Sequence, residues 1–178
     1  MSSRVFLIGY RGTGKSTVAR HLARELGYEA IDADDEIEAH AGGSIAELFA
    51  TSGEPAFRDL EQQVVADLCR RERVVIALGG GAVLREANRT AIRACGDPVV
   101  WLIASPETIL SRVAADGSTS SRRPNLTTAG GLAEIEQLLK ARLPQYRECA
   151  TLVVDTEGKS PEEIAAEIMD RLRLRPPA

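Results

Sequence analysis

Val5-Phe6-Leu7-Ile8 runs directly into Gly9-Tyr10-Arg11-Gly12-Thr13-Gly14-Lys15-Ser16, and an amphipathic pattern follows from Lys15 to Leu26. The octapeptide matches GxxxxGK[ST], the phosphate-binding P-loop, and it lies where such a loop must lie, between a buried strand and a helix. The spacing has a physical reason. Glycines let successive backbone N–H groups converge on phosphate oxygens, and the helix N-terminus adds the positive end of its dipole. The pattern assigns Lys15 to the terminal phosphates of a nucleotide and the Ser16 hydroxyl to Mg²⁺. A chance Gly-rich turn would seldom satisfy every fixed position and both flanks.

Working outward, short apolar runs recur at Ala30–Ile31, Val74–Leu78, Val99–Ile103 and Leu152–Val154. Most are continuous and rich in Val, Ile and Leu, as strands buried on both faces are. Helical patterns stand between them at Ile45–Thr51, Glu54–Arg71, Glu86–Ala94, Pro106–Ala114, Leu132–Glu148 and Pro161–Leu172. Ser105 and Ser160 each precede a proline at a first helical position, and Ser160 with Glu163 forms a capping box. The alternation predicts an α/β fold with a parallel sheet covered on both faces. Two stretches stand apart from it. From Asp35 to Leu68 the pattern is helical with no strand, and from Asp116 to Gly131 it is a Ser-, Thr- and Gly-rich loop long enough to act as a lid.

The chain has 178 residues, a length suited to one domain, and a net charge of −4. That charge argues against a general nucleic-acid binder. Only Lys15, Lys140 and Lys159 are lysine, so most basic side chains are guanidinium forks, which suit planar anions. Cys69, Cys95 and Cys149 are odd in number and lack CxxC spacing; they read as buried apolar residues of a cytosolic protein. No apolar run approaches a membrane span, and no signal-peptide pattern precedes the first strand. The expectation is a soluble, cytoplasmic, monomeric protein with no nucleic-acid or membrane partner.

A P-loop selects a nucleoside triphosphate and leaves the reaction open. No NKxD base-reading motif occurs, and Asp155-Thr156-Glu157-Gly158 follows the last strand, where it reads as a turn into a helix. Asp32 and Asp34 stand at the end of the second strand, where ligands of open α/β sheets gather. On an extended segment both carboxylates point one way, so one can orient Mg²⁺ while the other accepts a proton from an attacking hydroxyl. The same residues also suit an acidic helix start. Arg142 lies on the apolar helix face of Ile135, Leu138 and Leu139, and needs either an anionic partner or a route to water. Arg58 borders the face of Phe57, Leu60 and Val64, with the same alternatives; two such arginines can grip one carboxylate. Gly79-Gly80-Gly81 after the third strand serves a turn or uncovers backbone for a ligand. Arg122-Arg123-Pro124 is either a solvated loop tip or a guanidinium delivered to phosphates. His21 and His40 are assigned no chemistry.

In order, GYRGTGKST, Asp32-Ala33-Asp34, Phe57-Arg58, the LGGGAV of Leu78–Val83, Arg123-Pro124 and Arg142-Leu143-Pro144-Gln145-Tyr146 resemble the motifs of shikimate kinases, from Val5 to about Leu172. The resemblance implies a P-loop kinase of nucleoside-monophosphate-kinase-like fold, a five-stranded parallel sheet flanked by helices. One domain would span residues 1–178, with a helical substrate-binding subdomain over about 33–61 and a lid over about 115–130. It implies Mg²⁺-dependent transfer of the ATP γ-phosphoryl group to the 3-hydroxyl of shikimate. Gly12, Thr13, Gly14, Lys15, Ser16 and Thr17 would hold the nucleotide phosphates, with Ser16 and Asp32 at the metal. Asp34 would hold the shikimate hydroxyls and act as base, while Arg58, Arg142 and the backbone of Gly79–Gly81 bind its carboxylate. Arg123, singled out from Arg122 by the following proline, would be the lid arginine, catalytic with Lys15 and Asp34. Arg112 and Lys159 are the candidates beside adenine. Rival readings are a kinase for another hydroxy acid such as gluconate, a nucleotide kinase, or a nucleotide-binding regulator without catalysis.

Overall fold

Strand β1 (Arg4–Ile8) occupies the middle of the molecule because both of its faces are apolar. The computed structural model describes residues 3–115 and 131–175. In it, β1 is followed by α1 (Lys15–Leu26), β2 (Glu29–Asp32), α2 (Ala33–Ala41), α3 (Ile45–Leu68), β3 (Val74–Ala77) and α4 (Glu86–Ala94). Then come β4 (Val99–Ile103), α5 (Pro106–Ala115), α6 (Gly131–Cys149), β5 (Leu152–Asp155) and α7 (Pro161–Leu172). The strands form one parallel sheet in the order β2-β3-β1-β4-β5, with Leu7 opposite both Ala77 and Val100.

Side chains alternate along each strand, so β1 feeds two cores. Val5 and Leu7 pack with Val18 and Leu22 of α1 and Ile164 and Ile168 of α7. Phe6 and Ile8 belong to the opposite core, with Phe57, Val64 and Leu68 of α3, Ile92 of α4 and Tyr146 of α6. Each such side chain contributes about 1.5–3 kcal/mol by leaving water, and strands with two buried faces must read as unbroken apolar runs. That is the three-layer α/β architecture expected from the alternation. Because all strands are parallel, every connection leaving a strand's carboxyl end emerges along one edge of the sheet. The glycines after β1 and β3, Asp32 at the end of β2 and Thr156 after β5 all lie there.

The helical stretch between β2 and β3 decides between the two readings of its aspartates. Asp32 and Asp34 do not share an extended segment: Asp32 is the N-cap of α2 and its side chain accepts the Asp34 backbone N–H, at 2.9 Å, so Asp34 stands in the first helical turn. A carboxylate just ahead of three unsatisfied amides caps them, and this local gain overrides strand geometry. The two helices expected at Ile45–Thr51 and Glu54–Arg71 are the two arms of α3, separated as expected by non-helical backbone at Gly53 (φ 77°, ψ 175°), and the second ends at Leu68, three residues short of Arg71. Pro55 is accommodated because it falls in the first turn after the break, where its missing N–H costs nothing. The Ser160–Glu163 capping box forms as the sequence predicts. Cys149 is buried, whereas Cys69 and Cys95 are only half-buried, since each caps a helix C-terminus. No described helix is long and apolar enough to cross a membrane.

Candidate active site

The loop between β1 and α1 is closed by one acceptor. The Tyr10 carbonyl receives the Thr13 hydroxyl at 2.8 Å, the Thr13 N–H at 3.4 Å and the Lys15 ammonium at 2.9 Å. Thr13 is buried, and its hydroxyl is engaged inside the loop, holding the backbone in a ring. Gly14, the N-cap of α1, has φ 89°, a left-handed conformation that a side chain would strain. A Cβ on Gly12 would meet Val113 of α5 at 2.9 Å, so the loop is also packed from outside. Thr17 is exposed in the first turn of α1, beside Ser16.

Ser16 donates to Asp32 across 2.5 Å. Asp32 therefore does two things: one oxygen caps α2 and the other meets the serine hydroxyl, beside an open pocket of about 400 Å³ that Arg20 and Asp35 also line. A hydroxyl and a carboxylate are hard oxygen donors, the set Mg²⁺ takes when phosphates and water complete its octahedron. No group of three or more His, Cys, Asp or Glu that could hold a metal occurs among the described residues. Asp34 is half-buried in the first turn of α2, next to this pair.

The far wall is built from side chains held by other side chains. Arg58 of α3 donates Nη1 to Glu61 at 2.7 Å and both Nε and Nη2 to Glu54 at 3.2 Å. Burial works against its charge, but the carboxylates of Glu61 and Glu54 outweigh that and hold its pKa above the ordinary value. Gly81 must be glycine for this arginine to stand where it does, since a Cβ there would be 2.6 Å from Nη1. Arg142 of α6 is 8% exposed; its Nη1 donates to the Gly80 carbonyl at 3.3 Å and its guanidinium lies 5.5 Å from the Tyr10 ring centre. Tyr146, one turn on, donates its hydroxyl to the same carbonyl at 2.6 Å and stacks on Trp101. The turn is pressed against the phosphate loop: a Cβ on Gly80 would approach the Gly9 carbonyl and the Arg11 amide to 3.4 Å.

At the other side of the loop, Arg112 of α5 donates to the Thr156 hydroxyl at 2.9 Å and the Thr156 carbonyl at 3.0 Å. Lys159, on the same turn, binds Glu167 at 2.7 Å and the Asp155 carbonyl at 2.9 Å. Both adenine candidates thus flank the turn after β5. Glu157 ties that turn to the start of α5 through Thr108 and Ser105, and the Thr108 hydroxyl holds its carboxyl below the usual range. Arg122, Arg123 and the lid over about 115–130 lie outside the described residues, apart from Ala115 at the end of α5.

A family model for shikimate kinase matches residues 11–173. The shikimate kinase of Rhodopirellula baltica is 45% identical over 165 residues, 93% of this chain and 88% of that protein. That of Pseudomonas entomophila is 45% identical over 173 residues, 97% of this chain and 98% of that protein. The chain belongs to the shikimate kinase family. The structure of the Acinetobacter baumannii shikimate kinase in complex with shikimate superposes with a TM-score of 0.90 at 34% identity, covering 97% of this chain and 94% of that one.

Shikimate kinase membership accounts for the α/β fold and makes this chain a phosphotransferase. The structure adds residues that the sequence reading passed over. Glu61, 1% exposed, is three residues after Arg58 and three before Val64, so it lies on the apolar face of α3. The argument that singles out Arg142, a charge on an apolar face, applies equally to Glu61 and finds it. Glu54 has no such signal, because its side chain is exposed.

Proposed function

We propose that this enzyme transfers the γ-phosphoryl group of ATP to the 3-hydroxyl of shikimate, giving shikimate 3-phosphate and ADP on the route to chorismate and the aromatic amino acids. The observation that carries the reading is the meeting of Arg58 and Arg142, from two different helices, on the Gly80–Gly81 turn that abuts the phosphate loop. A compact carboxylate gripped there lies beside the terminal phosphate of a nucleotide bound at the loop.

The amides of Gly12, Thr13 and Gly14, with Lys15 and Thr17, hold the ATP phosphates. Lys15 exchanges the Tyr10 carbonyl for a phosphate oxygen. Ser16 and Asp32 would hold Mg²⁺, which would supply charge neutralisation at the phosphates. Asp34 receives the 3-hydroxyl hydrogen bond and takes its proton as the new O–P bond forms and the bond to the ADP oxygen breaks. Arg58, Arg142 and the Gly79–Gly81 backbone fix the carboxylate, so that the hydroxyl is presented in line. Arg123 of the lid, about 115–130, closes onto the phosphates, and Arg112 stacks on adenine while Lys159 braces the turn beneath it. Residues about 33–61 form the acceptor-binding part of a single domain. Catalysis is then positioning and electrostatics, with water excluded.

The enzyme works as a cytoplasmic monomer without nucleic-acid partners; for the monomer the support is a surface on which Val153 is the large apolar side chain left exposed among the described residues. ADP release measured with shikimate, gluconate and nucleoside monophosphates tests the reading. Turnover with shikimate alone is expected, and no shikimate-dependent ADP would overturn it.

A further inference from the structure

The Gly80 carbonyl is a crowded acceptor. It takes a short bond from the Tyr146 hydroxyl, 2.6 Å, and a long one from Arg142, 3.3 Å. A carbonyl has two lone pairs, so both bonds can exist at once. They are not equivalent. Tyr146 is 1% exposed and its ring is stacked on Trp101, 5.4 Å between centroids, so the ring that carries the hydroxyl is fixed in place. Arg142 is a guanidinium with five N–H donors, resting on the Tyr10 ring and making a stretched bond to a neutral oxygen. An arriving carboxylate is the stronger partner, since it meets the guanidinium with a full opposite charge and two oxygens that match its fork, where the carbonyl offers one neutral oxygen.

We infer that Tyr146 is a positioning residue for acceptor binding: by holding the Gly80 carbonyl permanently, it lets Arg142 leave that carbonyl for the substrate carboxylate without orphaning a buried oxygen. The inference rests on the reading that Arg142 grips the carboxylate. Without the hydroxyl, Arg142 would be the carbonyl's remaining side-chain donor. Binding substrate would then strand a buried acceptor, and the cost would fall on shikimate and not on ATP.

Tyr146→Phe keeps the ring and its stacking and removes the hydroxyl alone. The KM for shikimate should rise about tenfold, with the KM for ATP changed less than about twofold. In an Arg142→Ala background the same substitution should add less than about twofold, because the arginine that needed releasing is gone. An unchanged shikimate KM in Tyr146→Phe, equal shifts in both KM values, or full additivity with Arg142→Ala would each overturn the inference. If Arg142→Ala itself leaves the shikimate KM unchanged, the carboxylate reading fails first and takes this one with it. Should Tyr146→Phe fail to fold, NMR of the unaltered enzyme decides. On adding shikimate, the Arg142 side-chain nitrogen resonances should move while the Tyr146 ring carbon bearing the hydroxyl stays. Movement of the tyrosine carbon without the arginine would refute it.

Discussion

The two walls of the cleft are made of different material. The nucleotide wall is one continuous loop, Gly9 to Ser16, in which the backbone does the work and the side chains of Thr13 and Lys15 fold back to hold it. The proposed acceptor wall has two arginines, one each from α3 and α6, and both are braced by other residues: Arg58 by Glu61 and Glu54, Arg142 by Gly80 and Tyr10. A backbone cradle recognises what all nucleoside triphosphates share. A wall of braced side chains recognises one shape, and it tolerates less, because each member depends on its neighbours.

That contrast can be broken by mutation. The largest effect is expected on the nucleotide side: Lys15→Ala should lower kcat by about 10²–10³-fold with the fold intact, as loss of a charge donor to the developing phosphoryl charge does. Circular dichroism and a coupled ADP assay would check it, and a loss below tenfold would leave the loop without its catalytic cation. Next, Asp34→Asn should cut kcat by about 10²-fold while ATP binding, measured calorimetrically, persists; near-normal turnover would remove Asp34 as the base.

Arg58→Ala should raise the shikimate KM by about tenfold or more and also lower the Tm by several degrees. Its second effect follows from Glu61, which would remain buried after losing its closest cation. A stable variant with an unchanged KM would show that the acceptor wall is not interdependent. Ser160→Ala, at the N-cap of α7 and away from the acceptor residues, should cost about 1 kcal/mol, a Tm drop of about 2–4 °C, without altering the shikimate KM. Smallest of all, alkylation at pH 8 should barely touch Cys69: burial, with Cys95 beside it, pushes its pKa up to about 12, so the unreactive thiol form dominates. Fast labelling there, or labelling that changes kinetics, would place the thiols closer to the chemistry than the fold does.

The same contrast explains what was legible in the sequence. The phosphate loop could be read outright because its function is local: eight successive residues contain the whole cradle. The strands were legible because burial on two faces leaves unbroken Val, Ile and Leu. The helix starts at Pro106 and Pro161 are legible through local punctuation, a serine ahead of a proline. Arg142 could be flagged as a charge on an apolar face, but its partners on Gly80 and Tyr10 lie far along the chain, and no spacing rule brings them together. For Asp32 and Asp34 the sequence fits both an extended pair and an acidic helix start, and the structure takes the second, since Asp32 caps α2. Glu61 was passed over although the same test would have found it.

The place of β1 at the centre of the sheet has a consequence for how the protein is made. Its hydrogen-bonded neighbours are residues 74–77 and 99–101, so β1 is synthesised before either partner and waits for both. At about 5–20 residues per second, a ribosome needs roughly 5–20 s to deliver them. For that interval the phosphate loop has its helix but not its sheet, and nascent chains should acquire nucleotide affinity only after β4 has cleared the exit tunnel.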